Sequence, residues 1–193
     1  PLNYLNDFGG IALSSKYSSN DTFLDSSNNK LDKISDINEM IIDLQSKDDN
    51  ELAQRIRKAK QQNEDLNKSS LDGRMSRFTK AFEYIFDELK YEGIENINNT
   101  QAIVFSKNNI KFSIDKLSSG EKQIVYRGSF LLKEEKALKG AVVFIDEPEI
   151  SLHPIWQKKI MNFYRNLFKN NKGKQTSQIF AVTHSPFVIH DES

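Results

Sequence analysis

The 193-residue sequence contains no cysteine and only three histidines. Disulfide bonds and thiolate metal sites are therefore excluded, and nitrogen ligands for a metal are few. The 27 basic residues balance 27 acidic ones, so net charge gives no argument for a nucleic acid or an anionic membrane as partner. No apolar run approaches the roughly 20 residues that span a bilayer, and the first residues lack a signal-peptide layout. We expect a soluble cytoplasmic protein.

The patterning divides the sequence into three regions. Residues 1–35 are rich in Asn, Ser and Asp without a period, and we expect them to be poorly ordered or the edge of a truncated unit. Residues 36–70 carry apolar side chains three and four positions apart, from Ile37 to Leu66, which predicts a helical arm or a helical hairpin. Residues 71–193 have an α/β pattern.

The α/β region begins with RMSRFTKAFEYIFDELK, where Met75, Phe78, Phe82, Ile85, Phe86 and Leu89 share one face of a predicted helix. Three β-type runs follow, YEGIENI, QAIVFSK and IKFSID, with Asn108–Asn109 as a tight turn. A helix from about Ser119 to Leu138, the strand AVVFI, the helix PIWQKKIMNFYRNLFK and the strand IFAV complete the pattern. Because both strands are apolar throughout, we expect a mostly parallel sheet buried on both faces.

Two acids, Asp146 and Glu147, follow the strand AVVFI and precede Pro148. Ligands of α/β proteins collect outside the carboxyl ends of parallel strands. There, the first acid is suited to binding Mg²⁺ and the second to activating the water that attacks a γ-phosphate. Taken alone, the two acids are explained about equally well as the end of a strand and the start of the next helix.

Two further motifs, SSGE and AVTHSP, flank these acids. Ser118 and Glu121 have capping-box spacing, which predicts a helix N-terminus that attracts phosphate. Gly120 leaves the backbone open to an anion, and Lys122 adds positive charge. His184 follows the strand IFAV and lies at the same sheet edge as the acids if the strands are parallel neighbours. Alone, each motif is more often an ordinary helix cap or a turn residue.

Together, LSSGEKQ, VVFIDEP and AVTHSP resemble the second half of an ABC-type ATPase head. The resemblance is to the RecF-, SMC- and OLD-like AAA-family ATPases of DNA maintenance and phage defence, the Septu-type ATPase among them. It implies ATP and Mg²⁺ as cofactors, with Asp146 as metal ligand, Glu147 as catalytic base and His184 as γ-phosphate sensor. It further implies a homodimer with a nucleotide sandwich, in which the nucleotide of one subunit is contacted by the other subunit's Ser118, Ser119, Gly120, Glu121, Lys122 and Gln123.

Two positions depart from the family pattern. Ser119 replaces a frequent glycine, and His153 replaces the aspartate of the subunit-crossing loop that Ser151 to Pro154 match. A phosphate loop of the form G-x-x-x-x-G-K-[ST] is also missing, since the nearest candidate, GKQT, lacks the upstream glycine and follows a predicted helix. We therefore expect part of a head that is inactive alone, with its phosphate loop upstream of Pro1.

Two functions from different classes stay open. One is a nucleotide-driven clamp or switch that controls an arm, an attached or partner nuclease, or a DNA groove. The other is a non-catalytic scaffold, or a module that binds a partner or nucleic acid; the presence of Asp146, Glu147 and His184 together favours the first. The basic runs RIRKAK and RMSRFTK are candidates for DNA phosphates. Neighbouring acids favour a solvated face for the first run. For Arg74 and Arg77 of the second run, the family resemblance implies an alternative role in organising an interface.

Overall fold

The computed structural model describes residues 11–13, 27–62, 73–97, 99–133, 140–170 and 172–190. Among them, the helices are α1 (Ser27–Gln62), α2 (Arg74–Ile85), α3 (Ser119–Lys133), α4 (Pro154–Leu167) and α5 (Pro186–Ile189), with a 3-10 turn at Ile114–Lys116. The strands are β1 (Ile11–Leu13), β2 (Leu89–Ile97), β3 (Thr100–Lys107), β4 (Ile110–Ser113), β5 (Val142–Asp146) and β6 (Gln178–Val182). The fold is mixed α/β, with one parallel and one antiparallel three-stranded sheet.

The parallel sheet has the strand order β1-β5-β6. Strand β5 pairs in parallel with both neighbours, and its register with β6 runs from Val142 opposite Gln178 to Asp146 opposite Val182. This confirms the parallel pairing expected for the two apolar strands. Because parallel neighbours end at the same edge, the residues after β5 and after β6 lie side by side.

The expectation that these strands are buried on both faces is wrong for this chain. On one face of β5, Val143 and Ile145 are in the core. On the other face of the sheet, Phe144 of β5 is 38% exposed, and Phe180 and Val182 of β6 are 53% and 62% exposed. The rings of Phe144 and Phe180 stack 5.5 Å apart on this open face. The uniformly apolar sequence therefore does not distinguish the covered face from the open one.

The antiparallel sheet is a meander of β2, β3 and β4. Asn108 and Asn109 connect β3 to β4 with φ angles of 52° and 64°. Two consecutive positive φ angles are what a type I′ hairpin turn requires, and asparagine tolerates them better than most residues. The predicted hairpin is therefore confirmed.

Helix α2 is shorter than the sequence predicts. It ends at Ile85, the backbone of Phe86 is extended, and Leu89 begins β2. Phe86 and Leu89 are nevertheless buried in the same core as Phe78 and Phe82. Their spacing suits a helical face, but the chain buries them from an extended segment. Helix α4 likewise ends at Leu167, two residues before the predicted Lys169. The predicted residues 134–138 of α3 lie outside the described ranges.

Helix α1 is continuous to Gln62, so the hairpin alternative is wrong over the described residues. Ile37, Ile41 and Leu44 are almost completely buried, and α1 packs on α3, α2 and β3. From residue 52 to residue 62 no side chain is buried. The helix thus combines a core segment with an exposed end. No helix among the described residues is both long enough and apolar enough to cross a membrane.

Residues 1–35 were expected to be poorly ordered or the edge of a truncated unit. The first alternative is wrong at β1 and from Ser27 onwards, where α1 begins. The second stays a prediction, and residues 1–10 and 14–26 lie outside the described ranges. Strand β1 is short and has no patterning of its own. The strand forms because it pairs with β5, a contact between distant parts of the chain that the local sequence does not predict.

The second basic run does not present all its charges to solvent. Arg74 is buried, with Nη2 3.1 Å from Oε1 of Glu51 and Nη1 3.8 Å from Oδ1 of Asp48. Asp48 also accepts the N–H of Met75 at 2.7 Å. Burial raises the pKa of Asp48, although these hydrogen-bond and charge interactions act to lower it. Arg74 therefore joins α2 to α1 within the chain and is not available to a nucleic-acid phosphate. The role of Arg74 and Arg77 at an interface stays a prediction.

Candidate functional site

The candidate site lies at the carboxyl edge of β5 and β6. Asp146 is the last residue of β5, and both it and Glu147 are half-buried. The N–H of Glu147 donates to the carbonyl oxygen of Val182 at 2.8 Å, which continues the contact with β6 by one residue. Glu147 has a φ of 48°, a left-handed conformation that costs a non-glycine residue about 1 kcal/mol or more. Strain at this residue is consistent with a functional position.

Arg127 of α3 contacts this strained turn. Its Nη1 donates to the carbonyl oxygen of Pro148 at 2.6 Å, and its Nη2 to that of Glu147 at 3.4 Å. Nη1 also lies 3.3 Å from the hydroxyl of Tyr164 on α4. Arg127 is only 5% exposed, so these bonds form in a region shielded from water. One buried guanidinium thus ties the turn after β5 to α3 and α4.

The capping box at the start of α3 is confirmed. The N–H of Ser118 donates to Oε2 of Glu121 at 2.6 Å, and the N–H of Glu121 to Oγ of Ser118 at 3.3 Å. Ser118 and Ser119 are exposed, whereas Glu121 is half-buried. The motif therefore forms the helix N-terminus that its sequence predicts.

Gly120 is not open to an anion, contrary to the sequence-based expectation. A Cβ at this position would lie 2.7 Å from the carbonyl oxygen of Ser151 and 3.1 Å from Cζ3 of Trp156. Real Cβ atoms do not approach a backbone oxygen so closely, so glycine is required for packing. The first turn of α3 rests directly on the segment that follows β5. The glycine thus connects two parts of the site within one chain.

Lys122 and Gln123 point into the protein and not toward the exposed helix end. Both are buried, and Nζ of Lys122 donates to the carbonyl oxygen of Asp115 at 2.9 Å. The structure therefore gives Lys122 a role in fixing the loop that leads into α3. Between Ser118 and Gln123, the side chains most accessible to a ligand are those of Ser118 and Ser119.

His184 is exposed in the loop between β6 and α5, and Glu149 fixes the backbone of this loop. Oε1 of Glu149 accepts the N–H groups of His184 and Ser185 at 2.8 and 3.0 Å. Burial acts to raise the pKa of Glu149, but hydrogen bonds from Thr183 and from the loop backbone lower it below its usual value. The carboxylate is therefore ionised at neutral pH.

Gln157 of α4 supports the same loop from a second side. The hydroxyl of Ser185 donates to Oε1 of Gln157 at 2.6 Å, and Nε2 of Gln157 donates to the carbonyl oxygen of Leu152 at 2.9 Å. Sequence reasoning missed Arg127, Glu149 and Gln157. The signals available were an arginine inside the apolar run IVYRGSFLL and a second glutamate directly after Pro148.

The His, Asp and Glu side chains of the site are the candidates for binding the expected Mg²⁺. His153 caps α4, since its Nδ1 accepts the N–H of Ile155 at 3.3 Å. Over the described residues, no group of three or more His, Asp or Glu side chains is placed to hold a metal ion. Mg²⁺ in phosphate-transfer sites is bound by one or two carboxylates together with phosphates and water. Asp146 at the strand end therefore fits Mg²⁺ bound together with a nucleotide.

A parallel sheet that ends in paired acids and a histidine, beside a capped helix N-terminus, is the arrangement of an α/β protein with a ligand site at the carboxyl edge of its strands. Residues 9–189 match the family model described as AAA ATPase domain, so the chain belongs to that family. The family as a whole uses ATP with Mg²⁺.

Three curated proteins are similar to the chain over part of their length. The Retron Ec83 probable ATPase of Escherichia coli is 34% identical over 51% of this chain and 19% of its own length. The Septu protein PtuA of Bacillus thuringiensis is 27% identical over 58% of the chain and 29% of itself. The Retron Vc95 probable ATPase of Vibrio cholerae serotype O1 biovar El Tor is 31% identical over 57% of the chain and 21% of itself. The matched segments thus span less than a third of each relative.

Proposed function

We propose that the chain supplies three elements of an ATP-hydrolysing clamp or switch protein that acts in phage defence or DNA maintenance. They are the signature at Ser118 to Gln123, the Walker B acids Asp146 and Glu147, and the switch histidine His184. The observation that carries this proposal is the parallel register of β5 and β6, with Asp146 opposite Val182. It brings Asp146, Glu147 and His184 to one sheet edge from two separate strands. The retron and Septu relatives support the placement in phage defence.

In the proposed reaction, each residue at this edge has a separate role. Asp146 binds Mg²⁺, which when present offsets the negative charge of the nucleotide phosphates. Glu147 accepts the proton of the attacking water, and the left-handed backbone at this residue sets the direction in which its side chain leaves the chain. His184, exposed on the loop after β6, contacts the γ-phosphate. Arg127 holds the turn that carries Glu147.

The signature is proposed to act across a homodimer. The exposed hydroxyls of Ser118 and Ser119 at the start of α3 are suited to a phosphate bound by the second subunit. Lys122 and Gln123 support this helix end from inside the chain. Gly120 passes a displacement of the helix end to the segment after β5, because the two are in direct contact.

The proposal assigns the phosphate loop to a part of the whole protein outside this chain. The sequence contains no G-x-x-x-x-G-K-[ST] motif, and the matched segments account for at most 29% of the relatives' lengths. Calorimetric titration of Mg·ATP into the chain should therefore give no heat of binding at millimolar nucleotide. Micromolar binding by the chain alone would show that it contains a phosphate cradle and would refute this assignment.

The catalytic assignment is tested in the whole protein by Glu147→Gln. This change keeps the shape of the side chain but removes the base, so turnover should fall by about 10²- to 10⁴-fold. Glu95→Gln is the matched control, because Glu95 lies on the surface hairpin with Lys111 at 2.6 Å and is remote in the fold from the sheet edge. If Glu147→Gln hydrolyses ATP at the rate of the control, the chain is better described as a non-catalytic scaffold.

A further inference from the structure

The loop that carries His184 is held by side chains from two other elements. The turn after β5 contributes Glu149, whose Oε1 accepts two consecutive backbone N–H groups of the loop. Helix α4 contributes Gln157, which binds Ser185 and the carbonyl of Leu152. Glu149 and Gln157 thus hold the loop from two sides, the second through Ser185.

The first of these contacts is the stronger constraint. Hydrogen bonds to a charged carboxylate are about twice as strong as neutral ones, and here one oxygen fixes two adjacent peptide groups. The other oxygen of Glu149, Oε2, is buried away from bulk water. The hydroxyl of Thr183 contributes to keeping this carboxylate ionised, as its lowered pKa indicates. The backbone on either side of His184 is thereby fixed relative to the turn that contains Glu147.

We propose that Glu149 is a positioning residue for His184, and that it sets the distance between the switch histidine and the catalytic base. Glu149 and Glu147 are separated by Pro148 alone, and Arg127 clamps the carbonyls of Glu147 and Pro148. A movement of either loop is therefore transmitted to the other through one short, hydrogen-bonded turn. This inference rests on the proposed function, because it takes the role of His184 from there.

The kinetic test uses the whole protein and compares kcat with KM. Glu149→Ala should lower kcat by about 10- to 100-fold, the usual effect of misplacing a reacting group by about 1 Å. KM for ATP should change by less than about threefold, because the phosphate cradle lies elsewhere and binding is separable from turnover. Glu149→Gln retains an acceptor oxygen without the charge and should show a smaller loss of kcat. It is also the variant to use if the alanine form does not fold.

A double-mutant cycle separates a positioning role from a general structural one. If Glu149 acts through His184, then Glu149→Ala should cause no further loss of kcat in a His184→Ala background. Hydrogen–deuterium exchange of the peptide spanning residues 182–189 should be at least about tenfold faster in Glu149→Ala, because its amides lose their acceptor. Glu95→Ala, which removes an exposed glutamate from the antiparallel sheet, should alter neither measurement.

Two results would overturn the inference while leaving the proposed function intact. One is unchanged exchange of the 182–189 peptide in Glu149→Ala. The other is an equal loss of kcat from Glu149→Ala with and without His184. Full turnover by both Glu147→Gln and His184→Ala would overturn the proposed function and this inference with it. The turnover of these two variants therefore distinguishes failure of the proposed function from failure of the inference about Glu149 alone.

Discussion

Replacing Gly120 with alanine tests the contact between the first turn of α3 and the segment after β5. The added methyl group would lie 2.7 Å from the carbonyl oxygen of Ser151 and 3.1 Å from Cζ3 of Trp156. This oxygen is part of the backbone of Ser151, which has a φ of 64°. Unlike a side-chain atom, it cannot move away by rotation about a side-chain bond. Either the helix end or the segment must shift, and such overpacking costs about 1–3 kcal/mol.

Alanine also has a favourable effect that must be subtracted. It stabilises a helix interior by up to about 1 kcal/mol relative to glycine, and by less in the first turn. We therefore expect the free energy of unfolding to fall by about 1–2 kcal/mol. Urea denaturation followed by fluorescence is a suitable assay, because Trp156 is the only tryptophan and lies at the contact.

Gly128→Ala in the same helix is the matched control. There the methyl group would meet ring atoms of Phe78 at 3.0 Å and of Phe163 at 3.1 Å, which are side chains and not backbone. Rings can give way more easily than a backbone carbonyl, so the loss of stability should be smaller. If Gly120→Ala is as stable as the unchanged chain, or more stable, the close approach to Ser151 is not present in solution.

Two further changes test buried polar groups. Tyr91→Phe should leave the free energy of unfolding unchanged at neutral pH, or raise it by about 1 kcal/mol, because the buried hydroxyl has no hydrogen-bond partner among the described residues. Burial raises the pKa of Tyr91 to about 12, so the tyrosine of the unfolded chain ionises at a lower pH than that of the folded chain. The free energy of unfolding therefore falls as pH rises from about 10 to 12. Tyr91→Phe should remove about 2 kcal/mol of this loss, measured by urea denaturation at alkaline pH. Arg127→Met should lower the free energy of unfolding by about 2–3 kcal/mol in urea, because the carbonyls of Pro148 and Glu147 lose their donors.

These two predictions have separate controls. An alkaline loss of stability in Tyr91→Phe that equals or exceeds that of the unchanged chain would contradict the first, since phenylalanine has no proton to release. For the second, Arg165→Met removes a guanidinium that hydrogen-bonds to Asn162 on the same helix. That contact is local and half-exposed, so its loss should cost less than the change at Arg127. Equal costs would show that the contacts of Arg127 add nothing beyond ordinary packing.

Local patterning was sufficient for several elements because their causes are local. The Asn108–Asn109 turn forms because asparagine tolerates positive φ. The capping box at Ser118 and Glu121 needs only residues within one helical turn. The apolar runs of β5 and β6 predicted parallel strands, and the acid pair and the histidine at their ends indicated the candidate site.

Other features depend on contacts between residues far apart in sequence, and the tertiary structure alone decides them. The spacing of Phe86 and Leu89 suits a helix, yet the chain turns into β2 after Ile85 because both side chains reach the same core from an extended backbone. The open face of β5 and β6 has the same apolar composition as the covered face, so no periodicity separates Phe144 from Val143.

The sequence by itself determined which residues are candidates for the chemistry, because acids, a histidine and a capped helix end are recognisable by type and spacing. It did not determine what holds them in place. Gly120 was interpreted as an opening for an anion, but the fold presses it against Ser151. Lys122 was interpreted as positive charge for a phosphate at the helix end, but its ammonium group donates to the carbonyl oxygen of Asp115 inside the chain. Arg127 and Glu149 gain their roles only when α3, the turn after β5 and the loop after β6 meet, since each hydrogen bond joins segments that lie about 20 or more residues apart in sequence.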